Sequence, residues 1–493
     1  MSHEFKTGIG EIPIPDLTDT SFTFISKSGT TVSLDSINFG TDNSDTTCIL
    51  TFRGNAQRNS PSRGVLKSRP TILKLDWTFY TGSDTTKGLY GVWGGGAGWT
   101  GQPLYVKWDK AERGELTGLL QRFRNDTIPL NEIIQVSLSG KVYFIEMESG
   151  YATRNPISID NPVKGTPSID GKNRNYLLVG QGIQNRGSFA WRVFDLRKKE
   201  LLHTEYLPST FALKTWGACD ASPLIDGSTG IFIWPTESGV IYRGVLNDKK
   251  ITGTDQFRYE FSDHPRQGIE SSPSAFRHLG YFTDNAGNVF CLDLRTMAPR
   301  WSFFNTDDSD SSPVLDITND SVSVYTGNEV DRQGQKGMAY IRKLDGLTGM
   351  LKWQFGMECY AITEPKADNG GILSTPLPGK LKADGIVWAI FSRTTRSGGG
   401  LFVCLNDTTG EPVFKVEIKH YSWVSPLAVY DSSGNPYVYF ADVGGNIWLY
   451  DGLSGELIFN EKYDLTFESS PIAIGNRIIQ PARGNRILSF LIK

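Results

Sequence analysis

Short runs in which apolar and polar residues alternate, each opened by a glycine, recur along the chain and predict half-buried β-strands. The clearest are residues 140–146 (GKVYFIE), 287–293 (GNVFCLD), 400–406 (GLFVCLN) and 445–451 (GNIWLYD), each closing on an acid or Asn. Weaker copies end at Asp195 and Asp345, and Gly484-Asn485 opens another. A turn glycine follows the closing acid, and a large residue follows the glycine, as in Asp345, Gly349, Trp353; Asn406, Gly410, Phe414; and Asp451, Gly455, Phe459. Asp293 leads to Trp301 with Met297 in the glycine position, and Asp195 leads only to His203. The acid can hold backbone N–H groups of a tight turn and the glycine can take positive φ. The aromatic residue then opens the next strand and packs between neighbouring units. Helical spacing is seen at 110–123, where Leu116, Leu119, Leu120 and Phe123 would share a face.

A second mark falls between the repeats, usually Ser or Thr before Pro. It stands at Thr166-Pro167, Ser222-Pro223, Ser272-Pro273, Ser312-Pro313, Thr375-Pro376, Ser425-Pro426 and Ser470-Pro471, with Gln102-Pro103 as a variant. Successive prolines are 64, 56, 50, 40, 63, 50 and 45 residues apart, which suits one four-stranded antiparallel sheet per repeat. Proline fits the first residue of a strand, where a missing N–H is least costly. After Pro471 the chain has room for three strands, near 472–474, 477–481 and 486–492. The fourth can be supplied from upstream by 73–80, with Trp77 as its large residue. The expectation is an all-β, eight-bladed β-propeller whose ring closes by joining N- and C-terminal strands, with seven blades if the Gln102-Pro103 unit is spurious. Residues 1–50, polar and rich in Thr, Ser and Asp, read as an N-terminal β extension or arm, with strand-like stretches at 21–25 and 30–34; residues 51–493 form the propeller.

The joined pattern of S-P, G-x-[VIF]-x-x-[LY]-[DN] and x-x-[ST]-G-x-x-x-[WF] resembles the repeat of PQQ-like (quinoprotein-type) propellers. Phe52-Arg53-Gly54-Asn55-Ala56-Gln57-Arg58 is similar to the F-R-G-x-x-x-R segment that precedes the first blade in that family. The resemblance spans about residues 50–493. It implies the propeller fold and a periplasmic or extracellular setting. For function it implies either a binding scaffold such as the barrel-assembly lipoprotein BamB or a dehydrogenase, and fold alone does not choose.

Composition narrows the choice. With Lys+Arg 50 against Asp+Glu 53 the net charge is −3, which gives no general attraction to nucleic acid. No apolar run reaches the roughly 18–20 residues of a membrane helix, and Met1-Ser2-His3-Glu4-Phe5 does not open as a signal peptide. The five cysteines, Cys48, Cys219, Cys291, Cys359 and Cys404, are far apart, so neither a disulfide framework nor a Cys-rich zinc site is expected. His3, His203, His264, His278 and His420 show no metal-ligand spacing, and no GxSxG or Walker pattern is present.

In a propeller, the link between one blade's outer strand and the next blade's inner strand lies beside the central axis. The residues three before each Pro therefore line one mouth: Thr100, Lys164, Asp220, Glu270, Asp310, Leu373, Trp423 and Glu468. Trp99, Trp216, Arg266, Asp307 and Asp308 fall in the same loops, and the glycine-rich stretch 92–101 enters there too. The candidate binding residues are Trp99, Lys164, Trp216, Asp220, Arg266, Glu270, Asp310, Trp423 and Glu468. An acidic funnel walled by indoles suits a cation, a cationic peptide segment or a sugar. The plainer account is that each acid caps its own turn.

The family's dehydrogenases hold PQQ with a calcium ion on acid and Asn ligands, and use a catalytic Asp, an adjacent Cys-Cys disulfide and a Trp under the cofactor. This sequence has no adjacent cysteines, no matching ligand set and no C-x-x-C-H haem segment. The reading is thus non-enzymatic, with no catalytic residues, resident metal or cofactor expected: a propeller presenting its mouth to a protein partner, small ligand or glycan. The alternatives are a PQQ- and calcium-dependent dehydrogenase and a carbohydrate-binding or carbohydrate-processing propeller using Trp99, Trp216 and Trp423.

Overall fold

The computed structural model describes residues 22–29, 34–40, 47–99, 101–124, 128–172, 175–247, 250–261, 267–318, 321–362, 368–393 and 399–493. These residues form antiparallel runs of four strands at 104–158, 168–207, 224–261, 274–304, 314–362, 377–418 and 427–462. The last run, 472–492, has three strands, and Leu73–Tyr80 pairs antiparallel with Arg486–Ile492 as its fourth. The runs at 314–362 and 377–418 belong to one ten-stranded sheet, joined through the strand Asp368–Gly371. We number the four-stranded runs one to eight in the order given.

Each hydrophobic core cluster lies between two runs. One unites Val106, Trp108 and Ile134 of the first run with Leu177, Val179 and Phe194 of the second. Another joins Tyr439 and Leu449 of the seventh to Ile478 and Phe490 of the eighth. A further one packs Ile479 and Ile487 of the eighth against Ile133 and Ile145 of the first. The apolar face of every sheet is therefore covered by a neighbouring sheet, as stacked units require.

The repeat signature is explained at these junctions. Asp345 Oδ1 accepts the N–H groups of Leu347 and Thr348, and Asn406 and Asp451 do the same in their turns. The turn glycine then lies flat on the aromatic ring of the preceding run. A Cβ on Gly349 would stand 2.7 Å from Trp301, one on Gly410 2.7 Å from Trp353, and one on Gly455 2.7 Å from Phe414. Trp301 Nε1 donates to Gly346 O at 2.9 Å, Trp353 to Asp407 O at 2.6 Å, Trp388 to Gly452 O at 2.9 Å and Trp77 to Met147 O at 3.0 Å. In each case the acceptor is the carbonyl just after the closing acid. Arg154, in the aromatic position of the first run, reaches the equivalent carbonyl of Leu196 at 2.9 Å. So the acid shapes the turn, the glycine admits the ring, and the ring N–H locks one run to the next.

The Ser/Thr-Pro mark has its own function. Ser222 N donates to Ser272 Oγ at 2.9 Å, Ser272 N to Ser312 Oγ at 2.9 Å, Thr375 N to Ser425 Oγ at 3.0 Å and Ser425 N to Ser470 Oγ at 3.1 Å. Each hydroxyl satisfies a buried N–H of the preceding run, while the proline beside it has none to satisfy.

At the far end of the inner strands, residues 49–66 run from sheet to sheet. Ile49 pairs with Tyr105, the carbonyls of Leu50, Ala56 and Gln57 accept from Ile169, Ala275 and Leu315, Ser62–Arg63 pairs parallel with Ile472–Ile474, and Leu66 donates to Tyr430 O. Arg53 and Arg58 are fully buried in this segment. Arg53 donates to Pro426 O at 3.0 Å and Pro376 O at 3.5 Å, and Arg58 to Pro273 O at 2.8 Å and Ser222 O at 2.9 Å. The F-R-G-x-x-x-R motif is thus a hub: each planar guanidinium reaches carbonyls on different runs.

One expectation needs correction. The stretch 110–123 is not one helix but two short ones, Lys110–Gly114 and Gln121–Arg124, and Leu120 is exposed while Leu116, Leu119 and Phe123 are buried. Of the N-terminal residues, Phe22–Lys27 forms a strand antiparallel to the outer strand Lys250–Phe261 of the third run, with Gly29 N on Asp255 Oδ1 at 2.8 Å. The stretch expected at 30–34 lies outside the described residues save Leu34. All five cysteines are free and buried.

Candidate functional site

The inner strands run from the Ser/Thr-Pro marks toward the 49–66 hub, so the residues before each mark gather at the opposite end. Asp220 is fully buried there and forms an ion pair with Lys164 Nζ. Oxygens of Asp220, Glu237 and Glu270 lie within 4.8 Å of one another. Glu270 Oε1 accepts from Asn285 Nδ2 at 2.9 Å, and Glu237 Oε2 accepts from Trp216 Nε1 at 2.6 Å. The other oxygen of Glu237 is buried and has no hydrogen-bond partner among the described residues.

A second set of carboxyls adjoins this one. Glu329 shares a hydrogen bond with Asp310 and accepts one from Asn369 Nδ2 at 3.4 Å. Asp308 Oδ1 is buried without a partner among the described residues. Burial raises the proton affinity of Glu237, Asp308, Asp310 and Glu329 well above the ordinary carboxyl range, and the neighbouring negative charges add to it. Burial works the other way on Lys164, but the fields of Asp220, Glu237 and Glu270 outweigh it and hold the ammonium charged. Burial lowers the Lys214 ammonium, which faces Glu237. Six carboxyls thus surround two lysines in a poorly solvated place, an arrangement that a further cation would relieve by letting raised carboxyls ionise.

Indoles occupy the other side. Trp99 and Trp423 pack with ring centres 5.7 Å apart, Tyr421 lies 6.1 Å from Trp423, and Lys164 Nζ is 5.5 Å from the centre of Trp99. Trp423 Nε1 is buried with no partner among the described residues. Glu468 belongs to this side, 3.6 Å from Arg483 Nε, and Arg483 lies over Trp93. Trp216 differs from the other two indoles. It is wedged between Tyr90 at 5.0 Å and Phe189 at 4.9 Å, and its N–H is held by Glu237.

Of the residues expected at the mouth, Lys164, Asp220, Glu270 and Asp310 come together, and Trp99 pairs with Trp423. Thr100 and Arg266 lie outside the described residues. Leu373 is buried. Asp307 is a turn anchor: its carboxylate accepts from the backbones of Asp331, Arg332 and Gln333. The sequence reading passed over Glu237, Glu329 and Lys214. Glu237 sits in the turn between the second and third strands of its sheet, and Glu329 in a two-residue strand, Glu329–Val330, in the corresponding connection of the fifth run, at the same end as the links before Pro. The glycine that opens each repeat marks such turns: Glu237 stands two residues before Gly239. Other acids in these connections are caps, as Asp284 and Asp442 are, each accepting the backbone N–H four residues on. Glu237 makes no such bond among those described.

No family model matches the sequence, and no curated protein matches it. Solved structures do. The BamB structure from Moraxella catarrhalis matches at TM-score 0.51 and 17% identity, over 79% of this chain and 98% of that one. A quinohemoprotein alcohol dehydrogenase from Comamonas testosteroni matches at TM-score 0.60 and 10% identity, over 92% and 81%. One from Pseudomonas putida matches at 0.58 and 8%, over 92% and 83%. The fold is that of the PQQ-like β-propellers. At these identities the likeness fixes the propeller and leaves the activity open, since BamB and dehydrogenases share it. Among the described residues no helix is long and apolar enough to cross a membrane.

Proposed function

We propose that this propeller is a non-enzymatic binding module, working outside the cytoplasm, whose central mouth captures a cationic group of a protein partner. The observation that carries the reading is the convergence of Asp220, Glu237 and Glu270, with a buried Glu237 oxygen that lacks a hydrogen-bond partner among the described residues. A buried acceptor left unpaired is costly, and a ligand that supplies the donor recovers that cost on binding. We read the eight runs as eight blades in one ring, with Leu73–Tyr80 and residues 472–492 sharing the closing blade and Phe22–Lys27 packed on the outer strand of the third. The succession of cores, ending with the eighth run against the first, supports that reading.

A quinoprotein reading is the competitor, because three carboxylates could hold a calcium ion by donor type. The remaining chemistry does not fit. Lys164 already pairs with Asp220, and PQQ, itself a tricarboxylate, would meet the excess of carboxyls around it. The free cysteines are far apart along the chain, with no adjacent pair. The glycan reading needs exposed indole faces, and Trp216 offers little of its own between Tyr90 and Phe189.

Selection of a displayed random-peptide library on the full chain tests the binding reading. Enriched peptides are expected to be lost on Glu270→Arg, which reverses charge at the half-buried rim, and kept on Glu411→Arg in a remote exposed turn. Enriched peptides indifferent to Glu270→Arg would contradict it.

A further inference from the structure

The mouth is chemically lopsided in a way that specifies what completes it. On the acid side, Glu237 Oε1 and Asp308 Oδ1 are buried acceptors without donors among the described residues. Glu237 is only 7% exposed, and its carboxylate faces those of Asp220 and Glu270. On the indole side, Trp423 Nε1 is a buried donor without an acceptor among the described residues. The complement therefore carries several cationic donors at one end and a carbonyl at the other.

A guanidinium matches the first requirement. It offers five N–H donors in a planar fork, remains charged in a desolvated place and stacks on indole faces. A bare metal ion matches less well, since Lys164 is already on Asp220 and an ion makes no use of Trp99 and Trp423. A peptide backbone matches the second requirement by bringing a carbonyl to Trp423. The rim supplies a third clue: Leu89 is 86% and Val92 54% exposed, and Tyr90 between them packs on Trp216, the donor to Glu237. An apolar ledge thus stands beside the acid pocket, where residues flanking a basic side chain would rest.

Resting on the binding reading above, we propose that the mouth receives an arginine side chain presented on a peptide segment of a partner protein, with Glu237 and Asp308 as its receiving carboxyls and Trp423 holding the segment's backbone.

The test uses the full chain and the blocked pentapeptide Gly-Leu-Arg-Leu-Gly, with a citrulline version as the uncharged isostere, followed by calorimetry and tryptophan fluorescence. The arginine peptide is expected to bind, and the citrulline peptide to bind at least about tenfold more weakly. Glu237→Gln and Asp308→Asn, both close in shape to the native residues, are each expected to weaken binding about tenfold, and Trp423→Phe about threefold. Equal binding of the two peptides, or binding untouched by both acid substitutions, would overturn the proposal. So would saturable binding of calcium alone, lost in Glu237→Gln, with no response to the arginine peptide. Library peptides that are lost on Glu270→Arg and carry lysine but no arginine would leave the binding reading standing and remove only the arginine assignment.

Discussion

At the residue scale, the mouth holds acids against their nature. Glu329 is 4% exposed and its carboxyl keeps its proton to higher pH than in the unfolded chain, because burial and Asp310 disfavour its charge. A group whose folded-state proton affinity is raised contributes stability below its unfolded pKa, roughly 4.3, and that contribution fades as pH rises through the folded value. Glu329→Gln keeps a donor toward Asp310 and cannot ionise. We expect it to stabilise the protein by about 1 kcal/mol at pH 8 and to have little effect at pH 4.5. Denaturant unfolding at the two pH values checks this; an equal effect at both would mean that Glu329 does not titrate differently on folding. Asp293 works the opposite way. Arg295 and Arg300 overcome its burial and hold the carboxyl down, so its contribution is lost on acidification.

At the element scale, the repeat's glycines combine two demands that can be separated. Gly410 has φ +73° and its missing Cβ would press on Trp353, whereas Gly385 has φ +85° with nothing within 4 Å of that position. Gly385→Ala is expected to cost about 1 kcal/mol for the left-handed backbone alone. Gly410→Ala should cost about 3 kcal/mol or more, since the ring must move as well. Thermal or denaturant unfolding of the pair measures the difference, and equal costs would show that the ring contact does not matter. The same positions explain what was legible in the sequence. Acid, glycine and aromatic recur at fixed spacing because each makes a local or nearest-neighbour bond, so strands and their order could be read from them. Arg154 replaces the aromatic at one junction and keeps the bond to the next carbonyl, which pattern matching on aromatics passes over. Helix periodicity at 110–123 misled because a capped turn at Asp109 and a second short helix share the same apolar spacing.

At the scale of the whole molecule, the 49–66 segment ties many runs to one another from one end while the links before the Ser/Thr-Pro marks converge at the other. The F-R-G-x-x-x-R residues were visible in the sequence, yet their function as a hub was not, because it depends on carbonyls such as Pro376 and Pro426 more than 300 residues away. The mouth was half legible for a related reason. Counting back from each Pro found Lys164, Asp220, Glu270 and Asp310, since the links are equivalent by repeat. Glu237 and Glu329 come from the other set of connections, where Asp284 and Asp442 are caps and only the fold distinguishes these two from them. The central claim is that this mouth is built for a basic side chain and not for a quinone cofactor. The most direct measurement is thermal unfolding of the full chain with the arginine peptide and, separately, with PQQ plus calcium. Ligand at 100 times its Kd stabilises the folded state by about 2.7 kcal/mol. The account predicts a rise in Tm with the arginine peptide that disappears in Glu237→Gln, and no calcium-dependent rise with PQQ. A clear calcium-dependent rise with PQQ, and none with the peptide, would contradict it.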